Sequence, residues 1–128
     1  MAQVLVDTSV WIRALAGREP FRTKLDGLLD REEVLAHELV NGELLIGDSG
    51  RGATRAALIQ SYAKLPYAES IGHAEVAELV VTRSLGGRGI GWIDAHLLAS
   101  ALVSRARLWT ADENLQRVAE LLRIKSFQ

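Results

Sequence analysis

Val4-Leu5-Val6 is a short, uninterrupted aliphatic run that stops at Asp7-Thr8-Ser9, three residues that cap helices well, before helical character resumes from Val10 to Leu15. A strand that is apolar at every position, rather than at alternate ones, needs helices over both faces. The pairing of short apolar run and helix then repeats. Glu33 to Ala36, Tyr67 to Ile71, Arg107 to Thr110 and Ile124 to Phe127 read as further strands. Between them lie helical stretches: Phe21, Leu25, Leu28 and Leu29; then Leu39, Val40, Leu44 and Ile46; then Ala53 to Leu65; then Val76, Leu79 and Val80; then Trp92 to about Val103; and last Asp112 to Leu122. This alternation predicts an α/β chain, a three-layer α/β/α domain with a central, mostly parallel sheet of four or five strands. A length of 128 residues fits one such domain, spanning 1–128, and leaves no room for two.

Composition removes several function classes. The chain has no cysteine, so a disulfide framework, a thiolate nucleophile and Cys-ligated zinc are all excluded, and the reducing cytoplasm is the expected compartment. The N-terminus lacks the basic flank and long apolar core of a signal peptide. No apolar run approaches the roughly 18 to 20 residues that span a bilayer, so no membrane partner is expected. A formal net charge of -1 means that any polyanionic partner is held by a local patch and not by the field of the whole molecule.

The informative residues are acids on faces that should be buried. Glu43 has Leu39 and Val40 one turn before it and Ile46 one turn after, which puts it in the apolar stripe of its helix. Asp94 is in the same situation, with Leu97 and Leu98 following. Asp7 and Asp112 each follow an apolar strand segment, and in a parallel sheet the carboxyl edge of the strands is where ligand sites form. Two carboxylates about 5 Å apart repel by roughly 3 kcal/mol at an effective dielectric near 20, so such a cluster needs positive charge. A hard divalent cation, Mg²⁺ or Mn²⁺, suits an all-oxygen set and phosphodiester chemistry. No HExxH pairing surrounds His37, His73 or His96, which disfavours zinc. Each acid also has a plainer reading. Asp7 and Asp112 could simply cap the helices they precede, with Thr110 and Glu113 at capping-box spacing, and a small shift of helix phase would bring Glu43 or Asp94 to the surface.

Asp7-Thr8-Ser9-Val10-Trp11, Glu43-Leu44-Leu45, Asp94-Ala95-His96-Leu97-Leu98-Ala99 and Thr110-Ala111-Asp112-Glu113-Asn114-Leu115, in that order and spacing, resemble a PIN-domain ribonuclease. Within that group the match is to VapC-type toxins of type II toxin-antitoxin pairs, and it covers essentially the whole chain. The resemblance implies a Mg²⁺ or Mn²⁺ site and endonucleolytic cleavage of RNA by metal-activated water. It also implies a homodimer and inhibition by a cognate VapB-type antitoxin. Asp7, Glu43, Asp94 and Asp112 take the family's acidic positions as catalytic and metal-binding residues, with Thr8, Ser9 or Thr110 as hydroxyl support. Glu113, next to Asp112, leaves open which of the two carboxylates points inward.

The remaining signals are weaker. Gly87-Arg88-Gly89-Ile90-Gly91 lacks the lysine and the Ser/Thr of a phosphate-binding loop and reads as a mobile approach to Asp94. Arg13, Arg18, Arg22, Lys24, Arg83 and Arg88 form either an RNA-backbone patch or ordinary solvated helix faces. Trp11, Trp92 and Trp109 adjoin apolar segments and are assigned to the core rather than to base stacking. His96 is left outside the catalytic set. Phe21, Leu25, Leu28, Leu29 and the 53–65 helix offer apolar surface for association. Two competing functions remain: a catalytically silent module whose acids bind a basic partner residue, and an aspartyl-phosphate phosphatase. The second wants another acid two residues after Asp7, where this chain has Ser9.

Overall fold

A computed structural model describes residues 3–47, 57 and 60–128. Among the described residues three parallel strands form the sheet: β1 (Val4–Val6), β2 (Val34–Leu35) and β3 (Arg107–Trp109), in the order β2-β1-β3. The register pairs Val4 with Val34 and with Arg107, Leu5 with Leu35 and Leu108, and Val6 with Trp109. Every residue of β1 is buried, as the unbroken apolar run requires of a central parallel strand.

The expectation of four or five strands is corrected to three, since the Tyr67 and Ile124 segments each contribute a single parallel bridge, Ala36 to Tyr67 and Leu108 to Ser126. Backbone chemistry limits both. The Ala36 N–H donates to the Pro66 carbonyl (2.8 Å) and Ala68 donates back to Ala36 (2.8 Å). Pro66 has no N–H to continue the ladder, and the Glu69 N–H turns to the Ser104 hydroxyl (3.4 Å). At the other edge the Ile124 N–H is spent on the Ala119 carbonyl (2.9 Å), so pairing begins only at Lys125.

The helices are α1 (Thr8–Leu15), α2 (Phe21–Asp30), α3 (Glu38–Ile46), α4 (His73–Thr82), α5 (Trp92–Ser104) and α6 (Glu113–Leu121). Residues 60–63 are also helical, whereas most of the 53–65 helix expected from the sequence lies outside the described residues. α5 ends where Arg105 takes a left-handed conformation (φ 53°) and the Ala106 N–H donates to the Ala101 carbonyl. The core joins β1 to Leu25 and Leu28 of α2, Val40 and Leu44 of α3, Leu97 and Leu98 of α5, and Leu115 and Val118 of α6. Each such side chain, fully buried, is worth about 1.5–3 kcal/mol.

Two surface assignments change. Leu25 and Leu28 are core residues and not association surface, and Phe21 is half-buried, stacked on Trp109 with ring centroids 6.2 Å apart. Trp11 and Trp109 are buried, but Trp92 is 43% exposed. In the first turn of α5 its ring lies against His73 (4.9 Å) and His96 (5.1 Å), while Ala95 and Ala99 make the buried contact with Val76 of α4.

Candidate active site

Because β1 is central and the chain crosses from β2 on one side to β3 on the other, the crevice beyond the carboxyl ends of β1 and β3 is a topological switch point. Asp7 follows β1 there, its N–H donating to the Trp109 carbonyl (2.9 Å). Asp7 occupies the N-cap position of α1 but makes no side-chain cap hydrogen bond, which rules out the plain capping reading for this residue. Its buried carboxylate instead accepts from two hydroxyls at Oδ2, Ser9 Oγ (2.7 Å) and Thr110 Oγ1 (2.7 Å).

Both hydroxyls also accept from the turn after β3. The Ala111 N–H donates to Ser9 Oγ (3.1 Å) and the Asp112 N–H to Thr110 Oγ1 (3.0 Å). The Asp7 carboxylate is thus tied to the backbone that launches Asp112. Asp112 caps α6, with Oδ1 accepting from the Leu115 N–H (3.1 Å), so the capping reading holds for one of its oxygens. The expected Thr110–Glu113 capping box does not form, because Thr110 Oγ1 is already engaged. Glu113 turns outward to Arg117 (3.4 Å) with a largely exposed side chain.

Glu43, half-buried on α3, receives the Thr8 hydroxyl at Oε1 (2.5 Å). The helix carrying it starts at His37, whose Nδ1 accepts from the Leu39 N–H (3.0 Å) and whose Nε2 meets Ser100 Oγ (2.9 Å). Since Nδ1 accepts, the ring proton is on Nε2 and donates to Ser100. Tyr62 OH accepts from the His37 N–H (2.9 Å) and donates to its carbonyl (3.3 Å). Burial, the largest influence, holds the His37 pKa below the ordinary imidazole value. No spacing in the sequence pointed to this cap.

Asp94 sits in the first turn of α5 and accepts from the Gly91 N–H (3.0 Å). Its carboxyl is pushed above the usual carboxylate range, first by burial and then by the charges of Asp7, Asp112 and Glu43, against the opposing pull of the Gly91 hydrogen bond. Three carboxylates, 18 to 87 residues away in sequence, therefore act on one group. Among the described residues the ion pairs are Arg31–Glu33 and Arg117–Glu113, and neither supplies a cation to these four acids.

The donor set is all hard oxygen, and among the described residues none of these acids is in an ion pair. The same residues do not assemble three or more acidic or histidine side chains into a ready ligand group. The hydrogen bonds explain why: Asp7 and Glu43 turn toward hydroxyls, and Asp94 and Asp112 turn back to their own helix starts. Such a set fits Mg²⁺ or Mn²⁺, which bind through one or two carboxylates and keep several waters, better than a closed tetrahedral zinc site. The glycine stretch passes beside the acids: Gly87 and Gly89 have positive φ (74° and 80°), and Asn114 Nδ2 donates to the Gly89 carbonyl (3.4 Å).

The sequence profile of the PIN domain matches residues 4–121. The chain belongs to the PIN-domain family. Ribonuclease VapC32 of Mycobacterium tuberculosis, found in two strains, is 42% identical over 114 residues, covering 88% of this chain and 87% of that protein. This relative puts the PIN domain described above in the VapC group. The crystal structure of PAE2754 from Pyrobaculum aerophilum superposes with a TM-score of 0.63 at 20% identity, over 96% of this chain and 95% of that one, a likeness of fold. No helix among the described residues of this PIN domain is long and apolar enough to cross a membrane.

Proposed function

We propose that this PIN domain is a divalent-metal-dependent endoribonuclease toxin, cytoplasmic and homodimeric, held in check by a VapB-type antitoxin. The observation that carries the reading is the hydrogen-bond network that ties Asp7 to the Asp112 turn through Thr110, and Glu43 to the same end of the sheet through Thr8, with no ion-paired cation on these acids among the described residues. The ribonuclease name of the 42% identical relative supports the RNA substrate.

Asp7, Glu43 and Asp94 would hold the principal ion, directly or through water, and Asp112 would hold a second ion or orient the attacking water. When bound, Mg²⁺ or Mn²⁺ supplies Lewis-acid polarisation of the phosphate and a more acidic water. The chain's own contribution is positioning. Ser9 and Thr110 fix one Asp7 oxygen, and Thr8 fixes Glu43 from the same turn. The first turn of α1 therefore sets the spacing between two of the acids. A largely apolar cavity of about 380 Å³ lined by Leu15, Leu29 and Leu65, with Arg22 and Asp26 also on its wall, supports an antitoxin groove.

Mapping of RNA ends tests the activity: wild-type protein with Mg²⁺ or Mn²⁺ produces defined new ends, and EDTA or Asp7→Asn abolishes them. Persistent cleavage by purified Asp7→Asn protein, free of contaminating nuclease, would falsify the assignment. The alternative silent module predicts no cleavage by the wild type and a melting curve that millimolar Mg²⁺ leaves unmoved.

A further inference from the structure

We infer that Arg13 is a substrate-anchoring residue that grips a backbone phosphate of single-stranded RNA flanking the acid cluster. The inference rests on the nuclease reading above and deepens it. Arg13 is four residues after Ser9 on α1, so the two side chains share a face. Through Ser9 that face reaches the Asp7 carboxylate (2.7 Å).

The half-buried Arg13 guanidinium is held by neutral groups only. Its NH1 donates to the Ser9 carbonyl (2.9 Å), and its central carbon lies 5.8 Å from the centre of the Phe21 ring. Among the described residues it has no carboxylate within ion-pair distance. A guanidinium has five N–H donors in a rigid fork, and one is accounted for here. A partly desolvated cation fixed in place without an anion is poised to receive one.

The place where it would do so is open. Arg13 lines a cavity of about 400 Å³ with Ser9, Ala111, Asp112, Glu113 and Asn114. Its floor is the turn that carries Asp112, so an anion on Arg13 is a neighbour of the acid cluster and not a remote surface ligand. Of the two carboxylates lining this cavity, Glu113 is drawn outward by Arg117 (3.4 Å) and Asp112 has Oδ1 engaged by the Leu115 N–H (3.1 Å). A chain of net charge -1 with four clustered acids has no general attraction for RNA, so a fixed local cation has to offset the repulsion near the reacting bond. Arginine suits the task because its planar fork can take two phosphate oxygens at once.

Fluorescence anisotropy of a dye-labelled single-stranded RNA, titrated in EDTA so that no cleavage intervenes, reads this inference by itself. Arg13→Gln is expected to weaken binding about tenfold and to flatten the slope of log affinity against log salt by about 0.7, the value for one phosphate contact on a single strand. Arg13→Lys should keep the slope while recovering only part of the affinity. Arg117→Gln, which removes a nearby but ion-paired cation, should stay within about twofold of wild type. Under cleavage conditions, KM should rise with Arg13→Gln while kcat holds within about twofold. Equal affinity and slope for Arg13→Gln and wild type, or an equal loss for Arg117→Gln, would overturn the assignment. Wild type that binds RNA through Arg13 but yields no new ends with Mg²⁺ or Mn²⁺ would instead overturn the nuclease reading, so the two failures are distinct.

Discussion

Thr110→Val tests whether a single hydroxyl holds the two strand ends of the site together. Valine replaces the hydroxyl with a methyl of nearly equal volume, so no cavity opens and the backbone preference for a strand end is kept. Three interactions are lost: the donation to Asp7 Oδ2 (2.7 Å), the acceptance of the Asp112 N–H (3.0 Å) and a long contact with Ser9 Oγ (3.4 Å). A hydrogen bond to a charged group is worth about 1.5–3 kcal/mol. Ser9 still donates to the same Asp7 oxygen (2.7 Å), which keeps the carboxylate from being stripped and places the total near 2 kcal/mol. The entropy of unfolding is about 2.1 cal/mol/K per residue, so over 128 residues the melting temperature should fall by about 7 °C. Calorimetry in EDTA measures this without interference from bound metal, and Thr110→Ser, which retains the hydroxyl, should recover most of the loss. If Thr110→Val melts within about 2 °C of wild type, the hydroxyl is a bystander and the tie between Asp7 and the Asp112 turn lies in the backbone alone.

Other perturbations follow from the same geometry. Asp94→Asn should raise the melting temperature at neutral pH in EDTA, because the amide oxygen keeps the Gly91 bond while the repelled charge disappears. A carboxyl with a raised folded pKa stabilises the fold when protonated and loses that contribution as pH rises through its folded value. The advantage of Asn should therefore be widest near pH 7 and narrow towards pH 4, as read by melts across pH. His37 carries the opposite sense: its folded pKa is depressed, so the unfolded chain binds the proton more readily and stability falls as pH drops through the ordinary imidazole value of 6.5. His37→Asn, which keeps an N-cap acceptor, should flatten that acid-side loss in pH-dependent melting curves. Gly89→Ala should destabilise, since a Cβ there would collide with the Asn114 amide and lie 2.9 Å from its Cγ, at φ 80°. Asn114→Ala in the same chain should relieve the collision and leave only the roughly 1 kcal/mol left-handed backbone cost, measurable by urea unfolding.

The parts of this molecule written locally were the legible ones. A fully apolar β1 announces a central parallel strand because burial on both faces demands it residue by residue, and an acid at its end is conspicuous for the same reason. The edge pairings were not legible in this way. Tyr67 to Ile71 and Ile124 to Phe127 have strand composition, yet one is checked by the missing N–H of Pro66, which matters only once the register puts that residue in the ladder, and the other by an amide committed to the end of α6, which is visible only in the folded chain. Neighbouring residues alone do not place Trp92 or Leu25. Leu25 is covered by the rest of the core cluster, while Trp92 is left beside two imidazoles because the small Ala95 and Ala99 make the buried contact with α4.

The site shows the same division at finer scale. Which acids to propose could be argued from their misfit with an apolar pattern, but how each is held could not. The anomaly lies in single residues, and the support lies in pairs such as Ser9 with Ala111 and Thr110 with Asp7, 102 and 103 positions apart. Cross-strand register decides those pairs: Val6 opposite Trp109 brings Asp7 beside Thr110, and a slip of one residue would point the hydroxyl to the other face of the sheet. The spacing of the acids is therefore a consequence of core packing around β1, Leu108 and Trp109. A core substitution that shifts this register should impair the site before it unfolds the chain.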